Sequence, residues 1–134
     1  MGEDEELVPV GSDADIVRAR QKGRELATRL GFSSTDVVLI TTAISELARN
    51  IVLYATRGEI AVSPTKDHNP EGIVVVARDA GPGIDDVERA MRDGFSTSGN
   101  LGLGLPGVRR LMDEVEIDSR PGEGTTVTAK KWKR

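Results

Sequence analysis

Four short segments of this 134-residue chain combine carboxylates, an amide, hydroxyls and closely spaced glycines. They are Glu46-Leu-Ala-Arg-Asn50, Asp79-Ala-Gly81-Pro-Gly83, the run GNLGLGLPG at 99–107, and Gly122-Glu-Gly124-Thr125. Carboxylate and amide oxygens accept hydrogen bonds and coordinate Mg²⁺, and glycines let backbone N–H groups approach an anion closely. Each segment taken alone also fits an ordinary turn, a loop or a pair of surface side chains.

The glycine run contains Gly102-x-Gly104-x-x-Gly107, which matches the fingerprint of dinucleotide-binding folds. That fold requires a strand directly before the glycines and a strand–helix–strand unit around them. Here residues 93–100 are polar, and too few residues follow Gly107 for the rest of such a fold. The glycines therefore indicate either phosphate binding, through backbone N–H groups and the start of the next helix, or a simple loop.

Glu46 and Asn50 fall on one side of a helix predicted from Asp36 to about Ala55. At about 100° per residue, Asn50 lies about 40° around the helix from Glu46, one turn further along. Leu39 and Leu53 flank this polar pair. A wide apolar arc is predicted to contain Val37, Ile40, Ala43, Ile44, Leu47, Ala48, Ile51 and Tyr54.

This pair of side chains suits metal and phosphate chemistry. A carboxamide oxygen is a suitable ligand for Mg²⁺, which takes few protein ligands beside phosphates. A carboxylate one turn away can orient a hydroxyl or a water molecule for attack. The alternative is an exposed surface pair that includes Arg49.

Asp79 follows Ile73–Ala77, a β-branched run typical of a central strand buried on both faces. A carboxylate at a strand end can accept a hydrogen bond from an amino group, and the glycine turn after it lets the backbone lie against a flat ring. Residues 122–125 are typical of a hairpin turn that ends in a hydroxyl at the start of a strand. A plain turn is the alternative at both places.

Composition argues against several other classes of function. Hydrophobic residues make up 37% of the chain and charged residues 30%, and the net charge is −4. We expect neither nucleic acid nor a membrane as partner, because the chain has no basic excess and no stretch of about 18 apolar residues. Cysteine is absent and the single histidine, His68, lies in a polar loop, which argues against thiolate and histidine-cluster chemistry. A cytoplasmic location is the expectation.

Caps, periodicity and turn residues predict the elements that position these segments. They are an edge strand at Leu7–Val10, a helix from Ser12 or Asp13 to Leu30, the helix Asp36–Ala55 capped by Ser34 or Thr35, strands at Glu59–Ser63 and Ile73–Ala77, a helix at Asp85–Arg92, a helix near Pro106 with Val108, Leu111, Met112 and Val115 at helical spacing, and strands at Glu116–Ser119 and Thr125–Trp132. The hairpin-like joins indicate an α+β two-layer sandwich, with a mixed, mostly antiparallel sheet and helices on one face. We expect one domain over 1–134, with 1–6 mobile.

In order and spacing, the four segments resemble the nucleotide-binding boxes of the GHKL superfamily of ATPases and kinases. The stretches ITTAISELARNI (40–51), DGFSTSGNLGLGLPGVRRLMDE (93–114) and GEGT (122–125) closely resemble the RsbT-type switch-protein kinases within it. The resemblance implies the Bergerat ATP-binding fold and a Mg-ATP-dependent protein serine/threonine kinase of the bacterial general stress response. It also implies STAS-type antagonist and scaffold proteins of the stressosome as substrates, and a PP2C-type phosphatase that the released kinase binds and activates.

The resemblance further implies a role for each matching residue. Asn50 would bind Mg²⁺, and Glu46 would be the catalytic general base. Asp79 would accept a hydrogen bond from the adenine amino group, supported by Thr125 through its hydroxyl or a bridging water, and would favour ATP because guanine carries an acceptor there. The other ATP-binding positions would be Gly81 and Gly83 at the adenine wall, Ser96, Thr97, Ser98, Gly102, Leu103, Gly104 and Leu105 in a lid at 95–105, and Gly124.

A second class of function stays open. It is a nucleotide-switched interaction module, an anti-sigma factor or phosphatase activator, without essential kinase chemistry. Glu46 favours the enzyme, because a module that only binds nucleotide needs no carboxylate beside the metal ligand. Autophosphorylation on histidine is not expected, because the chain has no histidine-bearing pair of dimerisation helices.

Overall fold

A computed structural model describes residues 5–65, 71–81, 104–120 and 122–133. Within these ranges the elements, in chain order, are β1 (Glu6–Val10), α1 (Asp13–Arg29), α2 (Ser34–Tyr54), β2 (Gly58–Thr65), β3 (Gly72–Asp79), α3 (Gly104–Leu111), β4 (Glu114–Ser119) and β5 (Thr125–Trp132). The helix predicted at 85–92 lies outside the described residues. Glu6, expected in a mobile start, already belongs to β1.

The strands form one sheet in the order β1-β2-β3-β5-β4, and each neighbouring pair is antiparallel. The predicted α+β fold is confirmed, and the described strands contain no parallel pair. β1 is an edge strand as predicted, so Pro9, opposite Glu59, removes no hydrogen bond from the sheet interior. β4 and β5 form the predicted hairpin, and β5 has the predicted bounds.

The core lies between the helices and one face of the sheet. In β3, Ile73, Val75 and Ala77 are buried, whereas Val74 and Val76 are only half-buried. The prediction that this strand is buried on both faces is therefore wrong for the outer face. The described helices cover one face only, so the continuous apolar run meets a second layer on that side alone.

Helix α2 packs against α1, α3 and the sheet, and is the central helix of the core. Its buried side chains cover most of its circumference: Val37, Ile40, Thr41, Ala43, Ile44, Ser45, Glu46, Leu47, Ala48 and Ile51. This 21-residue helix is long and apolar enough, by length and composition alone, to cross a membrane. From the sequence we did not expect a stretch this apolar. Its packing inside the core accounts for that composition.

The two ends of α2 differ from the prediction. The N-cap is Ser33, not Ser34 or Thr35, because Ser33 Oγ accepts a hydrogen bond of 3.1 Å from the backbone N–H of Asp36. At the other end, Tyr54 is 46% exposed, so its predicted place in the apolar arc is wrong. Tyr54 is the last helical residue, beyond the stretch of α2 that the core surrounds.

Helix α1 begins at Asp13 with Ser12 as the N-cap, as predicted. The carboxylate of Asp15 accepts hydrogen bonds from the backbone N–H of Gly11 at 2.9 Å and from the Ser12 hydroxyl at 3.2 Å. The hydrogen bond from Gly11, together with those from Arg18 and Ser12, holds the pKa of Asp15 below its ordinary value. This stabilising effect is therefore present above the unfolded-state pKa and lost as pH falls through the lowered folded-state pKa.

Helix α3 is shorter, and the strand after it longer, than predicted. The helix ends at Leu111, and Val115 belongs to β4. Lys131, only 4% exposed, donates from Nζ to the carbonyl oxygen of Leu111 at 2.9 Å, and so satisfies one of the carbonyls left unpaired at a helix end. The carboxylate of Asp113 accepts a hydrogen bond of 2.8 Å from the N–H of Trp132. Bonds to β5 thus secure the end of this helix.

We expect Gly23→Ala to lower the free energy of unfolding by about 1 kcal/mol. A Cβ at Gly23 would lie 2.1 Å from Cδ1 of the buried Ile44. Overpacking costs about 1–3 kcal/mol, and the higher helix propensity of alanine offsets about 1 kcal/mol.

Ile44→Val removes that Cδ1 atom and tests the contact. On its own it should cost about 0.5–1.5 kcal/mol, and in the Gly23→Ala background it should cost less. Urea denaturation of the two single variants and the double variant measures this coupling. Strictly additive losses would mean that the two side chains do not compete for space.

Candidate active site

One row of residues crosses all five strands at the end of the sheet. Val10, Gly58, Asp79, Thr125 and Ser119 face one another in turn across the neighbouring strands. Val10 is 1% exposed and belongs to the core, and directly opposed residues share a face of the sheet. The side chains of Asp79, Thr125 and Ser119 therefore project toward the helices. Asp79 and Thr125, which the sequence resemblance links in one role, are direct cross-strand neighbours.

Asp79 is the last residue of β3, and its half-buried side chain shapes the turn after the strand. Oδ1 accepts a hydrogen bond of 2.9 Å from the backbone N–H of Gly81, as in an Asx turn. The carboxylate offers about four lone-pair sites, so it retains acceptor capacity. A Cβ at Gly81 would lie 2.6 Å from Cβ of Ala55, so this turn packs directly against the end of α2.

Ser119 and Thr125 lie at the two ends of the β4–β5 turn, with their hydroxyl oxygens 2.8 Å apart in a hydrogen bond. Ser119 Oγ also lies 3.1 Å from the carbonyl oxygen of Gly124, to which it can donate. Gly124 has a φ of +86°, and a Cβ there would lie 2.2 Å from the carbonyl oxygen of Asp79. The turn therefore lies directly against Asp79 because residue 124 has no side chain.

Glu46 and Asn50 lie one turn apart on α2. Glu46 is 9% exposed and Asn50 half-buried, so the alternative of an exposed surface pair is wrong for the carboxylate. Further along the helix, Ile51 packs against β2, where a Cβ at Gly58 would lie 3.1 Å from Cγ2 of Ile51. The C-terminal turns of α2 thus lie over the row that contains Asp79. At 1.5 Å per residue, Asn50 and Glu46 are about 7 and 13 Å along the helix from Ala55.

Several predicted ATP-binding positions lie outside the described residues, as does His68. These positions are Gly83, Ser96, Thr97, Ser98, Gly102 and Leu103. Gly104 and Leu105 begin α3, in the first turn where N–H groups have no acceptor within the helix. The side chain of Leu105 is buried in the core as part of this helix, and its place in an ATP-binding lid stays a prediction.

Three residues around Asp79 were not predicted from the sequence, namely Gly58, Ala55 and Ser119. The hairpin could have indicated Ser119, since a strand that ends there and resumes at Thr125 places the two residues opposite each other. No local signal marks Ala55, because its contact with Gly81 depends on the placement of α2 on the sheet.

Known proteins match this chain over nearly all of its length. The model of the histidine kinase-like ATPase domain family matches residues 11–131. The serine/threonine-protein kinase RsbT of Bacillus subtilis is 53% identical over 131 residues, which are 98% of each chain. The chain belongs to the RsbT-type serine/threonine kinases. It is therefore an enzyme with an ATP-using domain, and its setting is stress-response signalling.

This RsbT-type kinase is also similar to anti-sigma factors. The anti-sigma F factor of Caldanaerobacter subterraneus is 31% identical over 118 residues, 85% of this chain and 82% of that one. The anti-sigma F factor of Bacillus subtilis is 34% identical over 104 residues, 72% of this chain and 69% of that one. These similarities place the RsbT-type kinase within anti-sigma regulation.

A solved structure shares the fold of the RsbT-type kinase. It contains the RsbU and RsbW domains of a Mycobacterium tuberculosis protein, with a TM-score of 0.68 and 21% identity. The match covers 96% of this chain and 32% of the other, so the present chain spans about a third of that longer one. At this identity the likeness shows the fold alone.

Gly124→Ala is expected to lower the free energy of unfolding by about 2 kcal/mol or more. A side chain in the left-handed conformation costs about 1–2 kcal/mol, and the new methyl would also meet the carbonyl oxygen of Asp79. Gly122→Ala is the matched control, because Gly122 has a φ of +79° but nothing within 4 Å of its Cβ position. Urea denaturation compares the two variants. If both variants lose the same free energy of unfolding, the contact of residue 124 with the carbonyl oxygen of Asp79 adds nothing to the cost of the left-handed conformation.

Proposed function

We propose that this kinase is one domain over residues 1–134 that transfers phosphate from Mg-ATP to serine or threonine hydroxyls of partner proteins in the bacterial cytoplasm. Its substrates would be STAS-type antagonist and scaffold proteins of the stressosome. Once released, it would bind and activate a PP2C-type phosphatase. The observation that carries the proposal is the position of Asp79 beside Thr125, at the end of the helix that bears Glu46 and Asn50.

The residues around Asp79 fit an adenine ring. An ionised carboxylate only accepts hydrogen bonds, and an amino group on an aromatic ring mainly donates them. Gly81 occupies part of the acceptor capacity of Oδ1 and leaves the rest for a ligand. Thr125, directly opposite, offers a hydroxyl for a second contact on the same ring edge. Gly81 and Gly124 keep side chains away from Asp79, and Gly83 is proposed to extend this wall.

The phosphate end of the nucleotide is proposed to lie toward Asn50 and Glu46. The Asn50 amide oxygen would hold Mg²⁺, and the bound ion would neutralise phosphate charge. The first-turn N–H groups of α3, at Gly104 and Leu105, supply backbone donors for phosphate oxygens. Ser96, Thr97, Ser98, Gly102 and Leu103 are proposed to add hydroxyl and backbone donors.

Glu46 is the proposed general base. It would accept the proton of the substrate hydroxyl while that oxygen bonds to the terminal phosphorus and the bond from phosphorus to the ADP oxygen breaks. The carboxylate is buried on a helix whose neighbouring side chains, Ile44 and Leu47, are locked in the core. This packing holds the backbone of α2 at Glu46 in place, which suits a reaction that depends mainly on positioning.

A second function is supported by the 31% and 34% identities with anti-sigma F factors. In that function the chain would bind a sigma factor or a phosphatase, and nucleotide would only switch it between partners. Glu46 would then contribute to structure and not to chemistry. Removing the base would therefore slow phosphate transfer in the first function and leave the second function intact.

Glu46→Gln keeps the shape of the side chain and removes the base. We expect ATP binding to persist while phosphate transfer to a STAS-type substrate falls by roughly 10²–10⁴-fold. Calorimetric ATP binding and transfer of labelled phosphate are measured on the same preparations. Glu25→Gln, on the exposed face of α1, is the control. Transfer at the normal rate in Glu46→Gln would favour the nucleotide-switched module.

Asp79→Asn removes the charged acceptor for the adenine amino group. A hydrogen bond to a charged group contributes about 1.5–3 kcal/mol, so ATP affinity should fall by roughly tenfold to a hundredfold. Asp118→Asn is the control, because Asp118 precedes Ser119 in β4 and is exposed on the opposite face of the sheet. Calorimetry that finds equal ATP affinity in the two variants would exclude Asp79 from the site.

A further inference from the structure

Lys131 is a charged side chain at a position of the sheet that faces the core. It lies directly opposite Ile73 across the β3–β5 pair, and opposed residues share a face of the sheet. Ile73 is fully buried and Lys131 is only 4% exposed. Burying a charge is costly unless it is paired, and apolar replacements of buried charges are often neutral or stabilising. Packing of the core alone therefore does not account for a lysine here.

The ammonium group of Lys131 binds the C-terminal end of α3. It donates from Nζ to the carbonyl oxygen of Leu111, the last residue of that helix, at 2.9 Å. A helix C-terminus carries a partial negative charge that a cation stabilises. Lys133 makes the same kind of bond at α1, where its Nζ donates to the carbonyl oxygen of the C-cap residue Leu30 at 2.9 Å. Lysines two residues apart thus hold the C-terminal ends of two different helices.

The bond from Lys131 contributes a direction that the other contacts of α3 do not. Leu105, Val108 and Met112 pack in the core, but apolar packing is not directional. The N–H of Asp113 donates to the carbonyl oxygen of Lys130 at 2.9 Å, which fixes the chain beyond the helix. Lys131 instead binds the helix itself. Because a hydrogen bond tolerates only a few tenths of an ångström in length, this bond restricts movement of α3 along its axis.

We propose that Lys131 is a positioning residue for the phosphates of ATP. By holding Leu111, it sets where α3 begins, and so places the first-turn N–H groups of Gly104 and Leu105 toward phosphate oxygens. Gly104 and Leu111 lie about 10 Å apart along the helix, so Lys131 acts from the end opposite the nucleotide. This role rests on the proposed function, because it requires the phosphates to lie at the start of α3.

Lys131→Met tests this role, because it removes the donor and leaves an apolar side chain of similar length in the core. We expect Mg-ATP affinity, measured by calorimetry, to fall roughly threefold to tenfold, comparable to the loss of about one hydrogen bond. Adenosine, which has no phosphate, should bind the variant and the unmodified chain equally. Chemical-shift titration measures adenosine affinity, because it detects weak binding. A purely structural role would weaken both ligands.

Lys133→Met is the matched control. It removes the corresponding bond at the end of α1, and it should leave the ratio of Mg-ATP affinity to adenosine affinity unchanged. Lys131→Gln, which is neutral and one atom shorter, is the second variant if Lys131→Met does not fold, and the same fall in that ratio is expected. Thermal denaturation of each variant reports whether it is folded.

Three results would overturn the proposal. They are equal weakening of Mg-ATP and adenosine binding by Lys131→Met, unchanged Mg-ATP affinity in that folded variant, and the same fall in the ratio in Lys133→Met. The first and third would show that the effect does not come from the position of α3. The proposed function fails by a different result, namely an unmodified chain that does not bind ATP, or an Asp79→Asn variant that binds it normally. Those results would overturn this role together with the function.

Discussion

The close approach of three backbone segments around Asp79 is the constraint on which the rest of the site depends. The turn after β3 packs on the end of α2 through Gly81, and the β4–β5 turn packs on β3 through Gly124. A Cβ at either glycine would lie less than 3 Å from its neighbour, 2.6 Å at Gly81 and 2.2 Å at Gly124. A side chain at Gly81 would push α2 away from Asp79, and one at Gly124 would push the hairpin away. Gly81 and Gly124 therefore determine how closely α2 and the β4–β5 turn approach Asp79.

The junction between α2 and the sheet is strained as well as crowded. Thr56, a β-branched residue that follows Ala55, has a φ of +73°, and the left-handed conformation costs about 1–2 kcal/mol for such a residue. Strain of this kind persists only where the surrounding structure enforces it. The contact between Ala55 and the turn at Gly81, and that between Ile51 and Gly58, provide this enforcement. Tertiary packing thus holds α2 over Asp79, although Thr56 alone disfavours the positive φ that this placement requires.

Local signals in the sequence predicted the secondary-structure elements, and long-range contacts account for the differences between their predicted and observed bounds. The β5 strand has its predicted bounds because alternation and a glycine-rich turn are both local. Helix α3 ends at Leu111, where Lys131 of β5 donates to the Leu111 carbonyl oxygen and Asp113 accepts from the N–H of Trp132. Strand β2 continues through Thr65 because Thr65 pairs with Gly72. The site follows the same rule. The order of the four segments indicated it, but the pairing of β3 with β5 was needed to place Asp79 opposite Thr125.

In the proposed site, base recognition and catalysis belong to different parts of the fold, and a substitution in one part affects the site differently from a substitution in the other. Recognition of the base would belong to the ends of β3, β4 and β5, whereas the catalytic carboxylate would lie on α2. Glu46 is about 13 Å along the helix from Ala55, so its replacement need not disturb the row at Asp79. A change at Gly124 would instead displace Asp79 and Thr125 together, since the turn touches the first and leads into the second. On this proposal the scaffold would lose phosphotransfer and still bind nucleotide when only Glu46 is changed, and it would lose both when Gly124 is changed.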